Sequence, residues 1–291
     1  MGSSPGRNDM TRVLLTGIGP EHRYVANHLV ESGGVDLILA EHGRSLDRRE
    51  RVRQLRRRYS PSQLGSRAAL SLYRLAVRDA TVRKRALSRV LGTSADGFAR
   101  PELVREIKSV NDTEAKRLVA GLTDVRILVY GTGIVGNDML TSGTRTPLNM
   151  HTGVSPRYRG SSCAFWPVHN GELEYVGATV HEVTRELDGG RIFGVTQARL
   201  EPDDQLHEIF GRAVIAGTDL YLRVLERIDD PEYEACAEVQ DLGLGVEYRA
   251  VMRDIRAERR VRLAIQQGAV RSYCEQRNDG SEQYPSEEAK K

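Results

Sequence analysis

The chain has 291 residues, 39% of them hydrophobic, and a formal net charge of +3, enough to bury one large core with at most a small annex. No apolar run approaches the roughly 20 residues of a membrane-spanning helix, and the polar start lacks the apolar stretch of a secretory leader. Cys163, Cys236 and Cys274 have neither metal-type spacing nor an even count, so a reducing, cytoplasmic setting away from the membrane is expected.

After residues 1–10, expected to be flexible, Arg12-Val-Leu-Leu-Thr16 reads as a buried strand closed by Gly17-Ile-Gly-Pro20. Residues 21–32 carry helical spacing and stop at Gly33-Gly34, and Val35–Ala40 reads as a second strand. This βαβ opening predicts an α/β fold: an open, mostly parallel, Rossmann-like sheet covered by helices. Gly17 and Gly19 precede a helix N-terminus, where free amides can take an anion. Pro20 lacks an N–H, however, and Glu21 would repel phosphate, so an ordinary turn fits better than a phosphate cradle.

Residues 44–95 are charged and helical in period, with apolar positions at Leu64, Ala68, Leu72, Leu75 and Val82; they read as a helical insertion or lid. Arg44–Arg58 holds eight arginines in fifteen residues. That run is either a phosphate-binding patch or a solvated helix face, with Asp47 and Glu50 interleaved and few aromatics for base stacking.

Asn111 or Asp112 can cap a helix running to Gly121, and Arg126–Tyr130 reads as an interior strand. Gly131-Thr-Gly-Ile-Val-Gly136 matches G-x-G-x-x-G, but no long helix follows it and no acid ends the next strand as a dinucleotide site requires. Further strands are expected at Pro147–His151, Val176–Glu182 and Arg191–Ala198, and a long helix over residues 203–228. A catalytic unit over residues 11–230 would then be followed by a small C-terminal appendage, 231–275, and a disordered tail, 276–291.

The chemistry concentrates in Pro147–Gly160 and Glu186–Gly190. Asn149 and His151 are two apart, so on a strand both face the same side, and a Leu-Asp-Gly-Gly turn carries Asp188. An amide, an imidazole and a carboxylate can polarise a carbonyl, hold an oxyanion and move a proton, which points to acyl transfer. The seven scattered histidines show no helical i, i+4 pair, and no metal site is expected.

These motifs, Asn149-x-His151, Pro156-Arg-Tyr-Arg-Gly160 and Glu186-Leu-Asp-Gly-Gly190, resemble the folate-dependent formyltransferases, which include glycinamide ribonucleotide transformylase, methionyl-tRNA formyltransferase and sugar N-formyltransferases. The resemblance covers residues 120–228 well and the first 40 only in pattern. It implies transfer of a formyl group from 10-formyltetrahydrofolate to a primary amine. Asn149 and a protonated His151 would stabilise the oxyanion, and Asp188 would orient the imidazole or a water. It further implies a pterin site along Tyr130, Gly131, Thr132, Gly133, Ile134 and Val135 and around Leu187, Gly189 and Gly190. The acceptor side is assigned to Gly17, Gly19, Arg159, Gly160 and Trp166, with Phe165 and Tyr175 adding surface for a base or sugar.

Three departures stand out. Thr152-Gly-Val-Ser155 replaces the Pro-Ser-Leu-Leu frequent in the family, making Gly153 the odd position. The first loop lacks the Asn and Ser of the purine enzyme, and too little chain follows Pro231 for the tRNA enzyme's C-terminal domain. The expected acceptor is therefore a small-molecule amine, a nucleotide-linked amino sugar, with glycinamide ribonucleotide next and tRNA disfavoured. Other readings are a silent homologue that binds folate or a nucleotide, and an RNA-associated protein using the arginine run. The segment Val239–Gln267 is a candidate surface for pairing two protomers.

Overall fold

A computed structural model describes residues 10–43, 53, 55–57 and 59–278. Its main sheet has seven strands, in the order β3-β2-β1-β4-β5-β7-β8. They are β1 (Thr11–Gly17), β2 (Leu37–Glu41), β3 (Val104–Ile107), β4 (Val125–Tyr130), β5 (Leu148–His151), β7 (Gly177–Glu182) and β8 (Ile192–Gln197). The first five are parallel, and β7 runs antiparallel to both its neighbours. Alternation sorts the side chains: Leu14, Leu128, Leu148 and Met150 join one buried cluster, while Val13, Leu15, Ile127 and Val129 join another on the opposite face. The expected Rossmann-like α/β sheet is thus the observed fold.

The first cluster is covered by α1 (Pro20–Glu31), α3 (Asp79–Leu91) and the long α7 (Leu206–Arg227). The second is covered by α4 (Thr113–Ala120), which Asp112 caps by accepting from the Ala115 amide at 3.0 Å. α7 starts at Leu206, inside the expected span 203–228, where Gln205 and Glu208 form a capping box. The short edge strand β3 escaped the sequence reading because Arg105 and Glu106 are exposed, as edge strands usually are.

Within the helical insertion, α2 (Pro61–Ala76) begins at a capping box between Ser60 and Gln63, yet buries no residue; Leu72 and Leu75 are exposed. Burial comes instead from Ala86, Leu87 and Leu91 of α3. The start of the insertion and most of the Arg44–Arg58 run lie outside the described residues.

The C-terminal helices α9 (Ile255–Gln266) and α10 (Ala269–Asn278) share a third core with α7 and the short α6 (Trp166–Asn170). Fully buried Glu258 of α9 is held by Arg74 of α2 at 2.6 Å and by Arg253 at 3.0 Å. Residues 231–275 therefore pack into the body of the molecule. Two short strands, β6 (Tyr158–Gly160) and β9 (Val246–Tyr248), pair in parallel beside the main sheet. Among the described residues no helix is long and apolar enough to cross a membrane.

Candidate active site

Leu148 and Met150 of β5 are buried in the core under α7, so Asn149 and His151 project from the opposite face of the sheet. Antiparallel pairing with β7 sets Asn149 opposite His181 and His151 opposite Thr179. Directly opposed residues share a face. His181 Nε2 accordingly lies 3.1 Å from the Asn149 Nδ2 atom. His181 Nδ1 is 2.8 Å from the Glu182 carbonyl oxygen, which only accepts. In the neutral ring Nδ1 therefore carries the proton, and Nε2 accepts from the Asn149 amide.

Asp188 joins both imidazoles. Its Oδ2 is 3.5 Å from His151 Nδ1 and its Oδ1 is 3.5 Å from His181 Nε2. The Gly160 amide donates to Oδ2 at 2.8 Å. His151 Nε2 lies 3.3 Å from the Tyr158 carbonyl oxygen. Asp188 itself sits at φ +50°, in the left-handed region, a conformation that costs an L-residue roughly 1 kcal/mol and that Asp tolerates better than most. Gly190 completes this turn because a Cβ there would lie 2.0 Å from the Glu182 carbonyl oxygen.

Burial by itself would raise the Asp188 carboxyl, but His151, His181 and the Gly160 amide outweigh it and hold the group below the usual carboxylate range. Burial pushes the His151 imidazole down; it outweighs the upward pull of Asp188, and His181 adds to the lowering. Burial thus works against the protonated His151 expected from the sequence, and Asp188 works for it. A carboxylate at 3.5 Å does not offset the loss of water around a nearly covered ring.

Gly153, the odd position of the sequence, has a steric origin. A Cβ there would lie 2.5 Å from His151 Nε2 and 2.4 Å from the Cys163 Cβ. His151 occupies the space that a side chain at 153 would need. Thr179 fixes this turn by donating to the Gly153 carbonyl at 2.8 Å and accepting from the Ser155 amide at 3.0 Å.

The other candidate residues divide. At the β1 end, the His22 ring fills the space beside both Gly17 and Gly131; a Cβ on Gly131, whose φ is +65°, would lie 2.5 Å from His22 Cε1. His22 Nδ1 accepts from the Gly17 amide at 3.1 Å. The glycine requirement at 17 and 131 thus comes from a protein side chain. Gly19 is the N-cap residue of α1, and its carbonyl accepts from the His22 and Arg23 amides.

Thr132, Gly133, Ile134 and Val135 continue the β4 loop away from Tyr130, whose side chain is buried. Asn111 braces this loop, donating to the Ile134 carbonyl at 2.8 Å and accepting from the Gly136 amide at 2.6 Å. Only the four-residue α5 (Asn137–Leu140) follows, so the G-x-G-x-x-G run lacks the helix of a dinucleotide site. Ile134 and Leu187 expose apolar side chains.

Two expected substrate contacts are corrected. Trp166 is 4% exposed, stacks on Tyr248 with centroids 4.5 Å apart, and donates to the Ser161 carbonyl. Its ring serves the third core and offers no face to a base or sugar. Arg159 is also buried and points at the Leu187 and Leu242 carbonyls, 3.4 and 3.3 Å away. It braces the Asp188 turn. Among the described residues no group of three or more His, Cys, Asp or Glu is arranged to hold a metal ion.

Residues 79–225, half of the chain, match the model of the formyl transferase family. The chain belongs to the formyl transferase family. It is 26% identical over 128 residues to methionyl-tRNA formyltransferase of Lactobacillus acidophilus, covering 44% of this chain and 40% of that protein. It is 30% identical over 111 residues to methionyl-tRNA formyltransferase of Parafrankia sp., covering 38% and 35% respectively. The chain thus matches 40% or less of the length of these curated relatives. In fold it is similar to an N-formyltransferase from Helicobacter canadensis solved with folinic acid and dTDP-3-aminofucose. That likeness has a TM-score of 0.51 and 14% identity, over 82% of this chain and 71% of the other.

In this member of the family the sequence reading missed His181. One of seven dispersed histidines, it carries no local mark. The available signal was the alternation of Val176–Glu182 as a strand next to β5, which would have set residue 181 against 149. Gln240, whose side chain reaches the Asp188 turn, had no sequence signal at all.

Proposed function

We propose that this protein is an N-formyltransferase of the cytoplasm. It would take the formyl group of 10-formyltetrahydrofolate and pass it to a primary amine on a small metabolite, a nucleotide-linked amino sugar. The observation that carries the reading is the cluster itself: an amide donor and an imidazole on one strand face, with Asp188 within 3.5 Å of the imidazole.

The residues present suit the donor. Ile134 and Leu187 give exposed apolar surface, and Gly131 and Gly133 are exposed glycines that leave backbone accessible, as a flat heteroaromatic ring requires. When bound, the donor supplies an acyl carbon whose oxygen gains negative charge as an amine adds. Asn149 Nδ2 has one N–H committed to His181 and a second free for that oxygen. The neutral His151 imidazole receives the proton that the attacking amine must lose. Asp188 then stabilises the imidazolium and holds the ring in place, and His151 returns the proton to the departing nitrogen of tetrahydrofolate as its bond to the formyl carbon breaks. Cover by Gly153, Cys163 and the Tyr158 carbonyl keeps water from His151.

The acceptor reading is supported by the amino-sugar ligand named for the H. canadensis protein. The methionyl-tRNA formyltransferases among the relatives favour a second acceptor, an aminoacyl-tRNA. The test is release of tetrahydrofolate from 10-formyltetrahydrofolate by purified protein with a panel of nucleotide-linked amino sugars, glycinamide ribonucleotide and methionyl-tRNA. Turnover with an amino sugar alone supports the proposal. Turnover with tRNA or glycinamide ribonucleotide alone overturns the acceptor, and none with any amine overturns the activity.

A further inference from the structure

The Asp188 carboxylate reaches its two imidazoles from a left-handed residue on a turn that is half exposed, and its grip comes from a distant part of the chain. Gln240, 52 residues on, donates through Nε2 to the Asp188 carbonyl at 2.9 Å and to the Gly190 carbonyl at 2.5 Å. One side-chain amide thus ties both sides of the Asp188–Gly189 peptide pair. Gly189 lies against Leu242, where a Cβ would come within 3.3 Å of its methyl group. Arg159 spans the same two segments, pointing to the carbonyls of Leu187 and Leu242.

The backbone donor to the carboxylate is held by the same segment. Gly160, whose amide donates to Asp188 Oδ2, pairs with Tyr248 of β9. At φ +93° it leaves no room for a Cβ, which would lie 2.4 Å from the Tyr248 carbonyl oxygen. That oxygen accepts from the Ser161 amide at 2.7 Å. Residues 240–248 therefore fix the backbone of Asp188 and the amide that anchors its side chain.

We propose that Gln240 is a positioning residue for Asp188, and that segment 240–248 is a clamp setting the distance from this carboxylate to His151 and His181. The inference rests on the site reading above for its catalytic consequence; its effect on the imidazoles does not need that reading. Without the two donated hydrogen bonds the turn relaxes, the carboxylate withdraws, and His151 loses the one interaction from Asp188 that pulls its proton affinity upward. A displacement of about 1 Å at a reacting group is enough to lose ~10²-fold in rate.

The test is Gln240→Met, which keeps the length and removes the donor, with Gln240→Asn as a second variant that shortens the reach. Imidazole titrations are followed by NMR in the full-length protein, with His207, paired with Asp79 at 3.0 Å on a different part of the molecule, as the internal control. The expected result is a downward shift of the His151 titration with His207 unchanged. With an active acceptor, kcat falls about 10- to 100-fold at near-constant KM for the donor, and the acid limb of the pH profile moves to lower pH. Either folded variant that leaves the His151 titration at its original position overturns the clamp, whatever its activity. Inactivity of the parent protein with every amine would overturn the formyl-transfer reading alone, because the titration shift does not depend on turnover.

Discussion

Two histidines sit at the carboxyl edge of the same sheet, each beside a buried carboxylate, and they have opposite relations to charge. At the β5–β7 end, Asp188 faces only imidazoles and a backbone amide among its described polar contacts. At the β1–β4 end, Glu21 lies 3.6 Å from His22 Nε2 but is also paired with Arg83 at 2.7 Å. Burial would raise the Glu21 carboxyl, and Arg83 more than offsets it. A guanidinium satisfies a carboxylate permanently, leaving His22 to close the gap between Gly17 and Gly131. A carboxylate shared by two titratable rings keeps its negative charge available to whichever ring takes a proton. The first arrangement suits catalysis and the second suits packing.

The largest expected difference is in turnover. His151→Ala lowers kcat by ~10²–10⁴-fold, the usual contribution of a positioned acid–base group, whereas His22→Ala leaves kcat largely intact and lowers thermal stability. Steady-state kinetics on both variants, with whichever amine proves active, reads the contrast; equal losses in kcat would erase the distinction between the two ends.

Next in size is Asp188→Asn, with an expected ~10²-fold loss of kcat and retained donor binding by calorimetry. The pH profile sharpens this prediction. His151 is lowered by burial, so its neutral form persists to below the ordinary histidine value of about 6.5. The acid limb of kcat/KM should therefore lie below that pH and move lower still in Asp188→Asn, which removes the anion that favours the imidazolium. An upward move would show that Asp188 does not act on His151 in the way its position implies.

A smaller effect is expected from Gly153→Ala. The added methyl must displace His151 or Cys163, costing about 1–3 kcal/mol in urea unfolding together with part of the turnover. An unaltered midpoint and rate would mean that the turn yields freely.

The smallest effect belongs to the other end. Arg83→Ala leaves Glu21 buried without its cation and should cost about 1–3 kcal/mol at neutral pH, with kcat unchanged. Because the Glu21 carboxyl is held below its ordinary value, the stabilisation it carries is present above that value and lost as pH falls through the folded one. The gap between variant and parent should narrow on acidification, and a gap constant with pH would assign Arg83 a packing role only.

Much of this was legible in the chain itself. The continuous apolar runs Val13–Leu15 and Ile127–Val129 declared buried parallel strands, and Asn149-x-His151 declared a shared face, because both follow from local backbone geometry. The Leu-Asp-Gly-Gly run announced a turn, and Asp188 is the residue that takes the left-handed conformation in it. Edge strand β3 and the pair β6–β9 were not legible. Their short, partly exposed segments are stabilised by pairing partners far along the chain.

The sequence by itself determined the sheet, the family motifs and the face on which the amide, imidazole and carboxylate meet. Tertiary structure decided the rest. It set His181 against Asn149 through strand register, buried Trp166 and Arg159 in bracing roles, filled the glycine gap at 17 and 131 with His22, and lowered the proton affinity of His151 by covering it. It also brought Gln240 to the Asp188 turn. Register, burial and desolvation depend on which distant segments come to lie together, and no run of neighbouring residues encodes that proximity.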